Sequence, residues 1–306
     1  MRVVFMGTPE FAVPSLQALV DAGHEVSLVF TRPDAVRGRG KKLMASPVKE
    51  KAVELGIPVF ETTKMTDEAK AALQSAAPDV MCVVAYGCIL PDDVLEMAPL
   101  GAVNVHASLL PRWRGAAPIQ RSILAGDDET GVSIMRVAHD LDAGAWCAQV
   151  GRPVGEKTCA ELTAELAADG AKALVEVLPK LADGTVEWHD QDPAGVTVAA
   201  KVRKDEMKLD PADTVAANAL RVQASSDTAP ARLTVAGKGV RAMVARVVNE
   251  PQVEAGVVEA QKKHVYLGCS DGVLELAAVK PDGKKEMPAP AWAAGLRGDL
   301  TWSRVD

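Results

Sequence analysis

Three polar residues of the kinds that support acid–base and oxyanion chemistry lie between positions 104 and 142. Asn104 and His106 come with alternating spacing after the short apolar run Ala102–Val103, so both side chains are predicted to leave one face of a strand end. Asp142 lies in a Leu-Asp-Ala-Gly turn. We predict that the amide, the imidazole and the carboxylate converge on one point.

This combination of groups is suited to a reaction at a carbonyl carbon. An amide N–H and an imidazole can stabilise a developing oxyanion, while a carboxylate orients the imidazole and helps to move a proton. The set contains no nucleophile, which favours direct transfer of an acyl group to an amine over a covalent acyl-enzyme. On the residues alone, a structural role stays open: Asn104 would cap the strand, His106 would be a buried core histidine, and Asp142 would start the turn.

A second cluster is basic and lies in a glycine-containing loop. Its four cations fall within residues 37–42, around two glycines: Arg37, Arg39, Lys41 and Lys42. Such a segment cannot form a core, and its like charges repel one another unless an anion neutralises them. The pattern predicts an anionic partner, with a solvated loop as the alternative.

The composition is that of a soluble globular protein. The chain has 306 residues, of which 48% are hydrophobic and 25% charged, so wholesale disorder is excluded. No signal peptide is predicted, and the most apolar stretch, Val80–Leu90, is too short to span a bilayer. We therefore expect a cytoplasmic protein.

No metal site is predicted, because the cysteines are scattered along the chain without the spacing of metal ligands. They are Cys82, Cys88, Cys147, Cys159 and Cys269.

Strands and helices alternate through the first half of the chain, which predicts an α/β fold with a parallel, Rossmann-like sheet. Active sites of such sheets lie beyond the carboxyl ends of the strands, where Asn104 and His106 are placed. Only one glycine, Gly7, is present in the first turn, and Pro9 removes an amide there, so dinucleotide binding is not expected. The predicted strands are Arg2–Met6, Glu25–Thr31, Ile57–Phe60, Asp79–Tyr86 and Gly101–Val105.

The second half of the chain has a different pattern. Short strands separated by Gly and Asp turns follow residue 205 and predict a small barrel or a sandwich. We predict a catalytic domain at 1–188, a linker at 189–204 and a C-terminal domain at 205–306. Residues 201–306 carry 16 Lys and Arg against 14 Asp and Glu, which leaves 18 against 27 for residues 1–200. The C-terminal part is thus slightly basic, but too weakly to indicate nucleic-acid binding by itself.

The run NVHASLLPRWRGAAPIQ, followed by GVSIM and LDAG, resembles the folate-dependent formyltransferase family, and most closely its tRNA-formylating branch. The resemblance implies a Rossmann-like formyltransferase domain followed by a smaller OB-like β-barrel that binds tRNA. It also implies 10-formyltetrahydrofolate as the formyl donor, with Asn104 and His106 holding the formyl oxygen and Asp142 assisting the histidine. The residues implied to line the folate site are Ser108, Leu109, Leu110 and Pro111.

The implied activity is transfer of the formyl group to the amino group of methionine on initiator tRNA, for translation initiation, by direct attack of the amine. The basic loop would grip the acceptor arm, led by Arg39, and the protein would act as a monomer without a metal. One stretch departs from the branch: Arg221–Asp227 replaces an aromatic, proline-rich segment. Two alternatives stay open, a formyltransferase acting on a small sugar-amine or glycinamide nucleotide, and a non-catalytic RNA-binding protein.

Overall fold

The structure, a computed structural model, describes residues 1–37 and 42–305. These residues divide into two compact units. Unit 1 comprises Met1–Pro118, Thr130–Arg152 and Thr163–Ala199. Unit 2 comprises Ile119–Glu129, Pro153–Leu162 and Ala200–Asp306.

Unit 1 is built on a sheet of seven strands among the described residues, in the order β10-β9-β7-β6-β1-β2-β5. β1, β2, β5, β6 and β7 run parallel. The predicted Rossmann-like fold class is therefore confirmed. The strands of the first 199 residues are β1 Arg2–Gly7, β2 Glu25–Thr31, β3 Ala35–Arg37, β4 Lys42–Met44, β5 Val59–Glu61, β6 Val80–Val84, β7 Ala102–His106, β8 Arg114–Gly115, β9 Glu129–Arg136, β10 Trp146–Pro153 and β11 Val198–Ala199.

The sheet continues past β7 with strands that sequence analysis did not assign. β9 pairs antiparallel with β7, which places Met135 opposite Asn104 and Ser133 opposite His106. Two smaller pairings also lie in unit 1: β3 with β4, and β8 with β11. Beyond β7, the last of the predicted strands, the sheet is therefore mixed, because β9 runs antiparallel to β7.

Two helices in the first 199 residues begin at recognisable caps. Ser46 and Thr66 accept hydrogen bonds from backbone amides three residues on, which explains why two of the helices begin there. The helices are α1 Val13–Asp21, α2 Pro47–Glu54, α3 Asp67–Ala76, α4 Asp92–Leu95, α5 Pro118–Leu124 and α6 Cys159–Ala182, with a 3-10 turn at Glu10–Ala12. None of the helices in the described part of the chain is both long and apolar enough to cross a membrane.

Helix α6 packs directly on strand β7. A side chain at Gly170 would lie 2.5 Å from Val105 Cγ1, so glycine allows the helix to approach the strand closely. Leu174, Val177 and Leu178 of α6 belong to the same core cluster as Val105. This packing fixes the strand from which Asn104 and His106 project.

Unit 2 contains an antiparallel barrel. Its sheet runs in the order β14-β15-β16-β13-β12-β18, and the outer strands meet where Val258 N donates to Leu300 O at 2.7 Å and Trp302 N donates to Gly256 O at 2.8 Å. The predicted barrel is confirmed. Its elements are α7 Val215–Gln223, β12 Arg232–Val235, β13 Lys238–Val248, β14 Val258–Ala260, β15 Val265–Gly268, β16 Val273–Pro281, β17 Met287–Pro288, α8 Ala289–Ala293 and β18 Trp302–Ser303, with a 3-10 turn at Lys204–Met207.

The stretch 221–227, which sequence analysis singled out, contains the end of α7 and a hydrogen-bonded turn. Ser226 Oγ accepts from Ala229 N at 3.1 Å, and Ser225 Oγ accepts from Ala231 N at 3.0 Å. Asp227 pairs with Arg241 of β13 at 2.6 Å. The hydroxyl groups and the carboxylate of this stretch thus stabilise the turn by hydrogen bonds and an ion pair, and no aromatic or proline-rich segment is needed.

Candidate active site

Strand β7 presents Asn104 and His106 on the same face of the sheet, as predicted. The alternate residues Val103 and Val105 face the other way, into the core packed against α6. His106 is 6% exposed, whereas Asn104 is partly exposed. The Asn104 side chain makes no hydrogen bond within the described residues. Its amide is available to a ligand.

The imidazole of His106 lies between a backbone carbonyl and a carboxylate. Nε2 is 2.9 Å from the carbonyl oxygen of Trp113, and Nδ1 is 3.7 Å from Asp142 Oδ2. Because a carbonyl can only accept, Nε2 carries the proton of that bond. Nδ1 is then the nitrogen that can exchange a proton, beside an acidic side chain. The predicted approach of Asp142 to His106 is present.

A backbone amide from another loop binds the side chain of Asp142. Its Oδ2 accepts from Gly115 N at 2.9 Å, and its φ of +50° lies in the left-handed region, where non-glycine residues are uncommon. Gly144 follows, and a side chain there would collide with the carbonyl oxygen of Arg136. The glycine in the Leu-Asp-Ala-Gly motif is therefore required by packing.

The turn 108–111 lies beside the histidine. Ser108 and Leu110 of this turn are buried, with 0% and 3% of their surface exposed. Ser108 Oγ donates to Arg112 O at 2.7 Å, and Ser133 Oγ donates to Ser108 O at 2.6 Å. The turn is buried because β9, which sequence analysis missed, supplies Ser133. The side chains of Leu109 and Pro111 are partly exposed.

The end of β6 contributes a neighbouring segment, residues 85–90. Tyr86 is buried, and its burial raises the pKa of the phenol, so this side chain stays neutral. Thr8 Oγ1 donates to Tyr86 O at 2.9 Å, which ties this segment to the turn after β1. Ile89, by contrast, is 89% exposed. An apolar side chain thus projects from the carboxyl end of the sheet.

Two members of the basic cluster lie on described strands, Arg37 at the end of β3 and Lys42 at the start of β4. Arg37 and Lys42 are opposite each other in the pairing. Arg39 and Lys41 lie outside the described residues. Three apolar side chains of the hairpin are exposed: Val36, Leu43 and Met44.

Sequence analysis missed a glutamine and a threonine that contact the site from residues 189–199, where we had expected a linker. Gln191 Nε2 donates to the carbonyl oxygens of Asp142 and Gly144, both at 2.8 Å. Thr197 Oγ1 accepts from Trp113 N at 2.8 Å. No spacing signal could have identified them, since they lie about fifty residues or more from their partners.

The arrangement is suited to transfer without a covalent intermediate. The hydroxyl nearest to His106 in sequence, that of Ser108, donates to a backbone carbonyl. Burial raises the pKa of Cys147 to about 11, so this thiol is a poor nucleophile. Among the described residues, no group of His, Cys, Asp and Glu could hold a metal ion. An amide, an imidazole and a carboxylate remain to act on a carbonyl.

Comparison with known proteins gives concordant results. The formyl transferase family model matches residues 1–178, and that of the formyl transferase C-terminal domain matches residues 201–297. The chain is 44% identical over 292 residues to a protein named methionyl-tRNA formyltransferase from Methylococcus capsulatus, covering 94% of this chain and 95% of the relative. It is 45% identical over 300 residues to one of the same name from Thiobacillus denitrificans, covering 96% of each.

The fold is also found among solved structures. HypX from Aquifex aeolicus in complex with tetrahydrofolic acid superposes with a TM-score of 0.69 at 17% identity. The superposition covers 98% of this chain and 50% of HypX, so the chain spans about half the length of that protein. At this level of identity the likeness concerns the fold alone.

Proposed function

The chain belongs to the formyl transferase family, and from this premise we propose that it transfers the formyl group of 10-formyltetrahydrofolate to the amino group of methionine on initiator methionyl-tRNA. The observation that carries the proposal is that β7 places Asn104, whose amide has no hydrogen-bond partner among the described residues, and His106 on one face, with Asp142 of a separate turn 3.7 Å from the histidine. Relatives of the same length named for this activity support the choice of acceptor.

In the proposed reaction the methionine nitrogen attacks the formyl carbon, and the carbonyl oxygen becomes an oxyanion. Asn104 donates a hydrogen bond to that oxygen, and His106 adds a second when its Nε2–H turns from the Trp113 carbonyl to the substrate, so that the developing charge is stabilised and the barrier is lowered. The bond from the formyl carbon to N10 of the folate then breaks. The proton lost by the amine is delivered to N10, with Asp142 and His106 as the groups that move it. The products are formylmethionyl-tRNA and tetrahydrofolate.

We propose that the folate lies against the turn 108–111. Ser108 and Leu110 are buried, so these two residues would contribute through the backbone and the shape of the turn. Leu109 and Pro111 are partly exposed and would contribute side-chain contacts. Asn104, His106 and Asp142 come from one chain, so the chemistry requires no second copy.

The tRNA partner is proposed from the charge of the hairpin. Arg37, Arg39, Lys41 and Lys42 concentrate positive charge on one loop of a chain whose net charge is −7. Contacts of these side chains with phosphates would position the acceptor arm and would be largely independent of sequence. The exposed apolar residues of the same hairpin are available for contact with nucleotides.

The experiment that tests the proposal compares acceptors under identical conditions with 10-formyltetrahydrofolate as donor. We expect formylation of charged initiator tRNA and at least about 10³-fold lower kcat/KM with a sugar-amine nucleotide or glycinamide ribonucleotide, because these small amines lack the phosphates that the hairpin would bind. Preferential formylation of a small amine would overturn the choice of acceptor. Absence of transfer to every amine, together with tight RNA binding, would replace the enzyme with an RNA-binding protein.

A further inference from the structure

Residues 189–199, here called the strap, connect the two loops that form the site. At one end His189 pairs with Trp146, through bonds of 2.8 and 3.0 Å between their backbones. At the other end Val198 and Ala199 pair with Arg114 and Gly115. The strap therefore bonds both to the segment that follows Asp142 and to the segment that follows the turn 108–111.

Gln191 lies in the strap and is 8% exposed. Its Nε2 uses both hydrogens, one to the carbonyl oxygen of Asp142 and one to that of Gly144, each at 2.8 Å. Its Oε1 accepts from Arg114 Nε at 2.8 Å. One buried amide thus joins the loop that carries Asp142 to the residue preceding Gly115.

The conformation of Asp142 needs such support. Its left-handed φ of +50° is unfavourable for a residue with a side chain, and such conformations persist where the surroundings hold them. The carbonyl bonded to Gln191 belongs to Asp142 itself. Gly115, whose amide donates to the Asp142 carboxylate at 2.9 Å, is the next residue after Arg114. Arg114 in turn donates to Gln191. Gln191 therefore contacts both elements that aim the carboxylate at His106.

We propose that Gln191 is a positioning residue for formyl transfer, which holds the loop of Asp142 so that the carboxylate lies beside His106. This inference rests on the proposed function. Gln191 does not reach the histidine itself in the described contacts, and it acts through the Asp142 backbone and Arg114. Displacement of a reacting group by about 1 Å can cost on the order of 10²-fold in rate.

The test is single-turnover formylation of charged initiator tRNA by Gln191→Leu, which keeps most of the volume, and Gln191→Glu, which keeps the acceptor for Arg114 but loses both donors. We expect the rate constant to fall by about 10- to 100-fold in both variants, with KM for folate and tRNA within about twofold of wild type. Because Gln191→Glu keeps the size and shape of the side chain, a loss of rate in this variant is due to the two lost hydrogen bonds and not to altered packing.

Asp192→Ala is the matched control in the strap. Asp192 is exposed, and its carboxylate accepts a hydrogen bond from the local amide of Ala194 at 2.9 Å. We expect this variant to keep the wild-type rate constant. An equal loss of rate in Asp192→Ala and Gln191→Leu would overturn the proposal, since it would assign the effect to the fold of the strap.

A double-mutant cycle distinguishes positioning from a general structural effect. If Gln191 acts through Asp142, Gln191→Leu should slow the residual transfer of Asp142→Ala by no more than about twofold. A full 10- to 100-fold loss in both backgrounds would overturn the inference, as would a wild-type rate in both Gln191 variants. Absence of transfer by the wild type would overturn the proposed function, and this inference with it.

Discussion

At the scale of single residues, Asn104 is the polar group of the site whose side chain is uncommitted within the described residues. We expect Asn104→Ala to lower kcat by about 10² to 10³, the usual cost of losing one oxyanion donor. Asn104→Asp should lose as much or more, because a carboxylate cannot donate and repels the oxyanion. Single-turnover formylation measures both variants. Near-normal turnover of the Asp variant would remove Asn104 from the oxyanion site.

The sequence predicted Asn104, His106 and Asp142 because their types and order carry the signal. It could not predict that the carbonyl oxygen of Trp113 binds His106, because every residue type has a backbone carbonyl. Gln191 was missed for a different reason. Its role follows from contacts with residues 49 and 47 positions away, which only the folded chain brings together.

At the scale of elements, the approach of α6 to β7 depends on Gly170. Alanine there would gain roughly 1 kcal/mol of helix propensity but would press on Val105, and overpacking costs about 1–3 kcal/mol. We expect Gly170→Ala to lower both the free energy of unfolding and kcat, because β7 carries two site residues. Denaturant unfolding and the formylation assay measure the two effects.

The compensating variant makes this expectation specific. Val105→Ala removes the methyl group that a side chain at position 170 would meet, so adding it to Gly170→Ala should restore part of the lost stability. The two substitutions are in contact and should be non-additive. Strict additivity would show that the loss in Gly170→Ala arises elsewhere in α6.

Sequence patterns predicted the parallel strands well and β9 not at all. β1 and β6 are almost continuous apolar runs, which is the pattern of strands covered on both faces, whereas β2 and β7 are apolar runs interrupted by polar residues. β9 has the sequence ETGVSIMR, and its residues Thr130, Gly131 and Ser133 are buried. Because these residues are polar or small, the sequence does not show the apolar pattern by which a buried strand is predicted. β3 and β4 have only three residues each, too few for a sequence pattern to distinguish them from a loop.

At the scale of the whole molecule, Glu275 links the stability of the chain to pH. Its side chain is buried, with Oε2 2.7 Å from Arg246 Nε and Oε1 2.6 Å from His264 Nδ1. Arg246, and then His264, hold the pKa of the Glu275 carboxyl below its ordinary value. A carboxyl whose pKa is lowered by folding stabilises the fold fully at pH values above its pKa in the unfolded chain, about 4.3. This stabilisation is lost as the pH falls through the pKa of the carboxyl in the folded protein.

We therefore expect Glu275→Gln to be less stable than wild type near neutral pH and to lose less stability on acidification. Urea unfolding across a pH series from roughly 3 to 7 measures the difference. Glu286→Gln, at an exposed carboxylate of the same unit, is the control and should follow the wild type. Parallel pH curves for Glu275→Gln and wild type would contradict the assignment.

The charge distribution of the whole chain leads to a prediction for tRNA binding. Because the net charge is −7, affinity for a polyanion must come from local cations such as those of residues 37–42. We expect Arg37→Gln/Arg39→Gln to weaken tRNA binding and to reduce the slope of log Kd against log salt by about 1 per lost phosphate contact. Titrations at several salt concentrations measure it. An unchanged slope would place the phosphate contacts elsewhere.

The organisation of the whole chain was only partly accessible from sequence. The change from an α/β pattern to short strands predicted a barrel in the C-terminal part, and the barrel is present. Residues 119–129 and 153–162 cluster with the C-terminal unit, which no linear pattern indicated. The boundaries 1–188, 189–204 and 205–306 stay a prediction. Segments far apart in sequence join one unit through tertiary contacts, and these cannot be deduced from composition.

The most direct test of the proposed chemistry is a rapid-quench single turnover with radiolabelled 10-formyltetrahydrofolate and charged initiator tRNA, for wild type and His106→Ala. We predict that the label passes from folate to methionine in one step without appearing on the protein. His106→Ala should slow that step by about 10² to 10³. Label on the protein before the tRNA, or a near-normal rate in His106→Ala, would contradict direct transfer assisted by this histidine.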